Sequence, residues 1–334
     1  MKTKILTILK ESGGYVSGQD LCSRLGVSRT AVWKAVKQLE EEGCRIEAVR
    51  NKGYRLTAVE DGITQAQIGS LLQTKYMGRN LVYFAETDST NIQIKRLAEA
   101  GSPEGTLVVA ESQTAGKGRR GRSWFSPPGS SIFMSYLLRP NILPYHASML
   151  TLLAGMACAR AVREETGLKA EIKWPNDLVL SGKKICGILT EMSTELEEIH
   201  YIFTGIGINV NQMEFPEEIR NTATSLKLER EKLQEKEGCR EFSRSVLIAS
   251  CMKWFEDYYE RFLLSGDFSQ LKEEYESMLA NLNREVLVLD PAGEYSGVCR
   301  GIDAMGRLLV ELPHKEVKAV LSGEVSVRGI YGYV

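Results

Sequence analysis

Histidine is scarce in this sequence, with three residues in a chain of 334, all far apart. The seven cysteines form no Cys-x-x-Cys pair, and their number is odd. These two features argue against a zinc site and against a disulfide framework, and they predict reduced thiols in a cytoplasm. The sequence also lacks a Walker A pattern, which argues against a P-loop enzyme.

Long apolar runs are absent as well. The N-terminal apolar stretch Ile5–Leu9 is followed at once by Lys10 and Glu11, and the least polar stretch, Met149–Val162, has the length of a buried helix. We therefore expect no signal peptide and no association with a membrane.

Charge is balanced over the whole chain but not along it. The net charge of −1 gives the chain no overall steering field for nucleic acid. The first 57 residues, however, hold 11 Lys and Arg against 6 Asp and Glu, which gives 11 − 6 = +5. This local excess predicts a local anionic partner.

Residues 1–60 have the pattern of a winged helix-turn-helix. Ser17 is placed to cap a helix over 18–25 that ends at Gly26, and Ser28 to cap a second helix over 29–41. Alternating strands over 45–56 surround a basic turn, as in a wing. The predicted DNA contacts are the cap and outward residues of the second helix and the wing lysine: Ser28, Arg29, Thr30, Trp33, Lys34, Lys37 and Lys52. A winged helix used for protein contacts is the alternative.

Two further modules follow this one. Residues 61–280 alternate strand and helix patterns: a short helix begins at Thr64, Ser148 caps an apolar helix that stops at Gly167, and Ser181-Gly182 forms a hairpin turn. Residues 281–334 contain short strands divided by turns, which is typical of a small SH3-like barrel. The sequence therefore predicts an α+β protein of three domains.

The run Gly116-Lys117-Gly118-Arg119-Arg120-Gly121-Arg122 is the most informative segment. Four cations and three glycines alternate within it, and Trp124 follows. Glycine is costly to order and like charges repel, so the run becomes useful when backbone N–H groups and guanidinium groups converge on an anion. We expect a loop that orders around phosphate or carboxylate oxygens; a solvated basic loop is the alternative.

Three other segments carry polar groups in places that suit a ligand. Thr87-Asp88-Ser89-Thr90-Asn91 gathers hydroxyls and backbone N–H groups at a helix start, where a ureido oxygen or an anion would be held. Gly205-Ile206-Gly207-Ile208-Asn209 combines glycines for close approach of a flat ligand with an amide for a base edge. Plain helix capping and a bulged core strand are the respective alternatives.

The third segment is Lys173-Trp174-Pro175-Asn176-Asp177, followed by Lys184 at the start of an apolar strand. A lysine in that position can point into a pocket and meet two anionic groups at once. A surface hairpin lysine is the alternative, and the neighbouring Lys183 leaves the choice between the two lysines open.

Together these segments suit the attack of a carboxylate on the α-phosphate of ATP. Both reacting groups are anionic, so cations positioned beforehand must offset their repulsion. Water destroys the acyl-adenylate product, and a loop that closes over it with Trp124 as a lid would protect it.

In this order, the motifs resemble the family of bifunctional biotin protein ligases and biotin operon repressors. The match runs from the winged helix-turn-helix to the C-terminal segment Gly323-Glu324-Val325-Ser326-Val327-Arg328. Between them it covers Asp88-Ser89-Thr90-Asn91, the run from Gln113 to Arg122, Lys173-Trp174-Pro175-Asn176-Asp177, Lys184-x-x-Gly187-Ile188-Leu189 and Gly205-Ile206-Gly207-Ile208-Asn209.

The resemblance implies a central class II aminoacyl-tRNA-synthetase-like ligase domain built on a mixed sheet. It implies that biotin and ATP form biotinyl-5′-AMP. The biotinyl group would then pass to a lysine of the biotin carboxyl carrier domains of acetyl-CoA carboxylase and pyruvate carboxylase. The adenylate-bound homodimer would bind operator DNA and repress biotin genes.

The resemblance also implies roles for individual residues. Biotin-binding roles fall on Ser89, Thr90, Asn91, Gln113, Gly116, Lys117, Gly118, Arg119 and Lys184. Adenylate-binding roles fall on Arg120, Arg122, Trp124, Asn176, Asp177 and Asn209. Lys184, which would contact the carboxylate and the α-phosphate, and Arg119, which would retain the adenylate, are the catalytic candidates. Mg²⁺ is expected with ATP; Asn176 and Asp177 are only candidate ligands.

Several expectations depend on this resemblance. Lys117 stands where the best-known members have Arg, so it keeps the charge but loses the bidentate fork. Cys186 lies beside the proposed site, where thiol reagents could inactivate the protein for reasons unrelated to its mechanism. The family pattern implies dimerisation through sheet edges, with Ile199–Thr204 as the candidate edge strand. A biotin sensor that no longer catalyses and a lipoate ligase are the other open functions.

Overall fold

The computed structural model describes residues 1–60, 62–195, 198–234, 241–290, 293–322 and 326–329. The N-terminal module contains α1 (Lys2–Ser12), α2 (Gly18–Leu25), α3 (Arg29–Glu41), β1 (Cys44–Val49) and β2 (Gly53–Val59). Both predicted caps are confirmed, because the hydroxyl of Ser17 accepts from the N–H of Asp20 and that of Ser28 accepts from the N–H of Ala31. The two strands pair antiparallel and form the predicted wing.

A short helix, α4 (Gln65–Gly69), links this module to the next one. It begins at Thr64 as predicted, with a reciprocal capping box between Thr64 and Gln67. Ala66 packs into the N-terminal core, whereas Ile68 packs into the central core. The helix is therefore buried between two hydrophobic cores.

The central module is a seven-stranded mixed sheet with helices on both faces. Its strands are β3 (Leu81–Thr87), β4 (Leu107–Gln113), β5 (Ser131–Leu138), β6 (Glu171–Lys173), β7 (Asp177–Leu180), β8 (Lys183–Glu195) and β9 (Glu198–Asn209), in the order β3-β4-β5-β9-β8-β7-β6. Only β3 and β4 pair in parallel; the remaining neighbours are antiparallel. The helices are α5 (Thr90–Glu99), α6 (Ala147–Thr166), α7 (Leu226–Gln234), α8 (Arg244–Ser265) and α9 (Lys272–Glu276).

Alternation along the strands divides the apolar side chains between the two faces. Ile94 of α5 packs with Val108, Leu137 and Phe203 on one face. The opposite face carries α6 and α8 in the main core. This arrangement leaves the N-terminal end of α5 beside the carboxyl end of β4, where the polar motifs meet.

Two sequence expectations about this module are wrong. The apolar helix ends before Gly167 as expected, but it begins at Ala147 with His146 in the N-cap position, because a 3₁₀ turn over Pro144–His146 leads directly into it. Ser148 is therefore not its cap.

The second error concerns the candidate edge strand Ile199–Thr204. It belongs to β9, which lies between β5 and β8 and is paired on both sides. Among the described strands, the open edge nearby is the second half of β8. Its pairing with β7 stops at Gly187, so from Leu189 to Glu195 it pairs only with β9.

The C-terminal module is a five-stranded antiparallel sheet. Its strands are β10 (Glu285–Leu289), β11 (Tyr295–Ile302), β12 (Leu308–Glu311), β13 (Val317–Val320) and β14 (Ser326–Gly329), in the order β13-β12-β11-β10-β14. Val286 and Val310 share the main core with the central module, and the indole N–H of Trp174 donates to the carbonyl of Gly306 at 3.1 Å. Of the predicted C-terminal motif, residues 323–325 lie outside the described residues.

Candidate functional site

The start of α5 forms one wall of the site. Ser89 occupies the N-cap position but makes no capping hydrogen bond through its side chain, contrary to simple capping. Instead the carboxylate of Asp88 accepts from the Ser89 N–H at 2.7 Å and from the Gln93 amide at 2.8 Å. Because the Ser89 hydroxyl does not cap the helix, it can bind a ligand at the pocket wall that it lines.

Gln113, at the end of β4, fixes the next residue of the turn. Its side-chain oxygen accepts from the backbone N–H of Thr90 at 2.8 Å and from the Thr90 hydroxyl at 3.2 Å. Its amide nitrogen donates to the hydroxyl of Ser126 at 3.0 Å. These bonds hold the amide in one orientation.

Asn91 is oriented by two residues that sequence reasoning missed. Its oxygen accepts from the buried hydroxyl of Ser135 at 2.6 Å, and its nitrogen donates to the Glu191 carboxylate at 2.7 Å. Ser135 and Glu191 lie within otherwise ordinary strands, β5 and β8, where no local pattern marks them.

The Gly/Arg run folds as a small hairpin held by its own backbone. The Gly118 N–H donates to the Arg122 carbonyl at 2.7 Å, and the Trp124 N–H donates to the Gly116 carbonyl at 2.9 Å. Part of its order therefore needs no anion. Gly116 packs inside this hairpin, where an added Cβ would lie 2.7 Å from the Ser126 hydroxyl, and it does not line either pocket described below.

The glycines of β8 and β9 accommodate side chains of the protein itself. A Cβ added to Gly207 would lie 2.5 Å from the indole of Trp124, and one added to Gly187 would lie 2.7 Å from it. A Cβ on Gly205 would lie 2.0 Å from the amide oxygen of Asn91. Side chains of Trp124 and Asn91 therefore lie above these glycines, and the expectation that Gly205 and Gly207 admit a flat ligand stays a prediction.

Lys184 reaches the site because β8 is bulged where it pairs with β7. Val179 is opposite Lys184 and Leu178 is opposite Cys186, so one extra residue sits between them on β8. As a result the Lys184 side chain lies on the same face of β8 as Gly187. A Cβ added to Gly187 would lie 3.1 Å from both the Cε and the Nζ atoms of Lys184. Its ammonium group pairs with the Asp177 carboxylate at 2.6 Å and lies 5.3 Å from the centre of the Trp124 ring.

The same bulge turns Cys186 away from the pockets. Its side chain is fully buried in the main core. The expectation that thiol reagents would inactivate the protein through Cys186 is therefore not supported by its position.

Arg119 joins three parts of the chain. Its guanidinium donates to the side-chain oxygen of Asn176 at 2.8 Å and to the backbone carbonyl of Ser322, in the C-terminal module, at 2.7 Å. Burial lowers the pKa of Arg119, and the nearby Asp177 carboxylate opposes that shift. A guanidinium stays protonated at neutral pH, so the site keeps a fixed cation here.

Two adjoining pockets gather the predicted residues. The inner pocket is lined by eight of the nine residues predicted for biotin: Ser89, Thr90, Asn91, Gln113, Lys117, Gly118, Arg119 and Lys184. The outer pocket is lined by all six predicted for the adenylate: Arg120, Arg122, Trp124, Asn176, Asp177 and Asn209. Lys184, Arg119, Asn176, Gly118 and Trp124 border both. Lys183 borders neither, which separates the two lysines that the sequence left equivalent.

The outer pocket also has walls that the sequence did not reveal. Phe125, Phe215 and Ile219 line it. Within the irregular stretch that contains Phe215 and Ile219, the backbone of 222–224 hydrogen-bonds to Lys184 as a parallel bridge. Asn209 is buried, and its amide already donates to the Thr224 carbonyl at 3.0 Å. An irregular segment has no periodicity from which to predict these contacts.

The described part of the chain contains no cluster of three or more His, Cys, Asp or Glu residues that could hold a metal ion. The Asp177 carboxylate is already engaged by Lys184 and by the Asn176 amide at 3.1 Å. This donor set fits Mg²⁺ that arrives on substrate phosphates, which needs one carboxylate or two, and does not fit a resident metal.

The predicted DNA-binding residues share the outer face of α3 and the wing. Arg29, Thr30, Trp33, Lys34 and Lys37 are exposed there. The Arg29 guanidinium donates to the Gln19 amide oxygen at 3.0 Å, and Lys37 pairs with Glu40 at 2.7 Å. Lys52 lies at the wing tip, 5.7 Å from the ring centre of Tyr15.

Within the described residues, no helix combines the length and apolar character needed to cross a bilayer.

Three family models match separate parts of the chain. Residues 83–209 match the model of the Biotin/lipoate A/B protein ligase family, residues 2–55 match an HTH domain, and residues 282–328 match the Biotin protein ligase C terminal domain.

Curated relatives and solved structures agree with these matches. The chain is 36% identical to the Bifunctional ligase/repressor BirA of Bacillus subtilis (strain 168), over 98% of both chains. It is 32% identical to the protein of the same name from Escherichia coli (strain K12), over 97% of this chain and 96% of that one. A biotin protein ligase from Aquifex aeolicus, solved in complex with biotin and ATP, is 33% identical with a TM-score of 0.64, covering 75% of this chain and 99% of that one.

Proposed function

The chain belongs to the biotin/lipoate A/B protein ligase family, and from that premise we propose that it activates biotin with ATP as biotinyl-5′-AMP and transfers the biotinyl group to a carrier lysine. We further propose that the adenylate-bound form represses biotin genes through its N-terminal module. The observation that carries the proposal is the junction of two pockets at Lys184 and Arg119.

The inner pocket suits biotin. Its polar wall offers the hydroxyl of Ser89 and the second amide N–H of Asn91 as donors to the ureido oxygen, and Gln113 holds Thr90 between them. Strands β8 and β9 supply glycines and the apolar residues Ile188, Leu189 and Ile206 along the other wall. The carboxylate end of biotin would then lie towards Lys184 and Arg119.

The outer pocket suits the nucleotide. It is the larger of the two, which matches the larger ligand, and it combines the cations Arg120 and Arg122 with the apolar rings of Phe125 and Phe215. Phosphate groups need fixed cations, and an adenine ring needs flat apolar walls. Mg²⁺ would enter on the phosphates as part of the ATP substrate and reduce their negative charge.

In the first step a biotin carboxylate oxygen bonds to the α-phosphorus, and the bond to the diphosphate breaks. Both partners are anionic, so the ammonium of Lys184 at the pocket junction offsets their repulsion. In the second step the carrier lysine amine bonds to the acyl carbon, AMP leaves, and the amine loses a proton. Arg119, held by Asn176 and Ser322, would retain the adenylate between the steps.

The remaining partners are also proposals. The acceptors would be the carrier domains of acetyl-CoA carboxylase and pyruvate carboxylase, in a cytoplasm where the thiols stay reduced. The adenylate-bound protein would dimerise and bind operator DNA. The open edge of β8, from Leu189 to Glu195, supports an edge-to-edge dimer because its outer backbone groups lack a strand partner among the described residues.

The direct test of the first step is diphosphate release from ATP with biotin present, together with recovery of biotinyl-5′-AMP bound to the protein. We expect release that depends on biotin. Tight biotin binding without ATP turnover would instead identify a non-catalytic sensor. Turnover with lipoate and not biotin would identify a lipoate ligase.

A further inference from the structure

The outer face of α3, which carries Arg29, Lys34 and Lys37, also carries one aromatic side chain. Trp33 is 52% exposed, although tryptophan is costly to leave in water. All four tryptophans lie among the described residues, and only Trp33 is exposed: Trp174 is 1% exposed, and Trp124 and Trp254 are partly buried.

The core does not offer Trp33 an alternative position. Val32, Ala35, Val36 and Leu39 occupy the inner face of α3 and are 0–2% exposed. Trp33 lies on the opposite face, four residues after Arg29 and four before Lys37, so the three side chains form one stripe along the helix. An aromatic ring therefore sits at the centre of a cationic stripe.

The charges around Trp33 indicate what covers it. Arg29 and Lys37 lie one helical turn before and after Trp33, Lys34 follows it on the exposed side of α3, and the net charge over residues 1–57 is +5 (11 − 6). An apolar protein surface would have to desolvate these cations, whereas a nucleic acid duplex pairs them with phosphates. The apolar feature in a major groove is the 5-methyl group of thymine.

We propose that Trp33 reads thymine by packing its ring against thymine 5-methyl groups in the major groove, while the flanking cations contact phosphates. This inference rests on the proposed operator binding by the N-terminal module and adds the base that the module selects. Tryptophan has one donor and no acceptor, so it cannot form the bidentate contacts that Arg, Asn and Gln make with a base, and its ring offers an apolar surface to the thymine methyl group.

The test uses duplexes selected from a randomised 40-base-pair pool by the protein loaded with biotin and ATP. In the tightest-binding duplex, each thymine is replaced in turn by deoxyuridine, which removes only the methyl group. We expect one or two positions in each half-site where the replacement weakens binding about fourfold, as the loss of one buried methyl predicts.

The variant Trp33→Ala should bind the thymine and uridine duplexes equally, so that the methyl effect disappears in the double-mutant cycle. Trp33→Phe keeps an apolar ring and should retain part of it. Lys34→Ala is the matched control: it should weaken both duplexes alike, flatten the salt dependence and leave the methyl effect unchanged. Thermal unfolding of each variant checks that the fold is kept.

Two results would overturn this inference and leave the proposed operator binding intact. The selected duplexes could bind tightly but show no methyl effect, or the methyl effect could survive in Trp33→Ala. A change in self-association of Trp33→Ala with an unchanged methyl effect would assign the ring to a protein contact and also overturn it. Failure to retain any duplex would contradict the proposed operator binding and this inference together.

Discussion

Lys183 and Lys184 are neighbours in the sequence, but only Lys184 borders the pockets. Replacing Lys184 by Ala removes the cation at the junction, and fixed charges of this kind are worth ~10²–10³-fold in rate. We expect Lys184→Ala to lower the rate of biotinyl-5′-AMP formation by at least that factor, with an unchanged thermal unfolding midpoint. The measurement is biotin-dependent diphosphate release.

Lys183→Ala is the matched control for the previous variant, because it removes the same charge one residue away. It should keep a rate close to that of the parent protein. Equal losses in both variants would mean that the effect comes from overall charge and would remove Lys184 from its proposed catalytic role.

Gly207 allows the Trp124 ring to lie against β9. In Gly207→Ala the new methyl group would lie 2.5 Å from the indole, so the ring must move out of its place between the two pockets. We expect the KM values for biotin and ATP to rise about tenfold, which corresponds to ~1.4 kcal/mol. Steady-state kinetics measures this.

Gly155→Ala provides the control for that change, since a Cβ there would lie 3.7 Å from Ile172, an ordinary contact. The second check is the Trp124→Ala background. If the Gly207→Ala penalty stays the same when the indole is absent, the clash is not with Trp124 and the account of this glycine is wrong.

At the scale of elements, α4 connects two modules by burying a different side chain in each core. The amide nitrogen of the buried Gln67 donates to the carbonyls of Glu42 and Glu60, at 3.3 and 3.2 Å. Lys10 adds a bond to the hydroxyl of Ser70 at 2.9 Å. These contacts fix the orientation of the winged helix on the ligase domain.

Gln67→Ala should weaken the attachment of the winged helix to α4. The backbone carbonyls of Glu42, which is partly exposed, and of Glu60, which is exposed, lose this hydrogen-bond partner, and each such bond is worth ~0.5–1.5 kcal/mol. We expect a lower unfolding midpoint and weaker operator binding by the adenylate-bound protein, because two DNA-binding modules must be held at a fixed spacing. Adenylate formation should stay near the parent rate.

Gln65→Ala is the control for this helix, since Gln65 is exposed and, among the described residues, its side chain bonds to the Leu81 carbonyl alone, at 2.9 Å. It should leave operator binding unchanged. Operator binding that is also unchanged in Gln67→Ala would show that the module orientation does not depend on this amide.

Helix starts could be predicted from the sequence where they depend on a nearby capping residue. Caps at Ser17, Ser28 and Thr64 are read from residues within one turn, and these predictions are confirmed. Features that depend on distant strands could not be predicted. The bulge that turns Lys184 into the pocket arises from pairing with β7, and the interior place of β9 arises from β5.

The candidate site also contains residues that the sequence could predict and residues that it could not. Its motifs are local and could be found, because hydroxyls, glycines and cations are unusual in such density. Ser135 and Glu191, which orient Asn91, come from strands far away in the sequence and have no local signature. The glycines of β8 and β9 could be found, but the side chains that fill the space above them could not.

At the scale of the whole molecule, the central module joins the other two, and only the C-terminal one of these two contributes a described contact to the candidate site. The C-terminal module reaches it through Ser322, and the N-terminal module is attached through α4. The open half of β8 lies beside the inner pocket, since Leu189 borders that pocket and Met192 is 47% exposed further along the strand. Edge pairing between two copies would therefore be sensitive to the state of the site.

Met192→Glu should prevent dimerisation of the adenylate-bound protein, because two-fold pairing of this edge would bring the two new charges close together. Sedimentation with biotin and ATP should show a monomer for this variant and a dimer for the parent protein. Leu264→Glu, at an 87% exposed position at the end of α8, is the control and should still dimerise. A dimer in Met192→Glu would place the interface elsewhere.

The most direct test of the central claim is ATP-dependent transfer of labelled biotin to a purified carrier domain, with labelled lipoate in parallel. We predict that biotin is transferred to the carrier lysine and lipoate is not, and that Lys184→Ala loses the transfer. No transfer of either label, with tight biotin binding retained, would contradict the account.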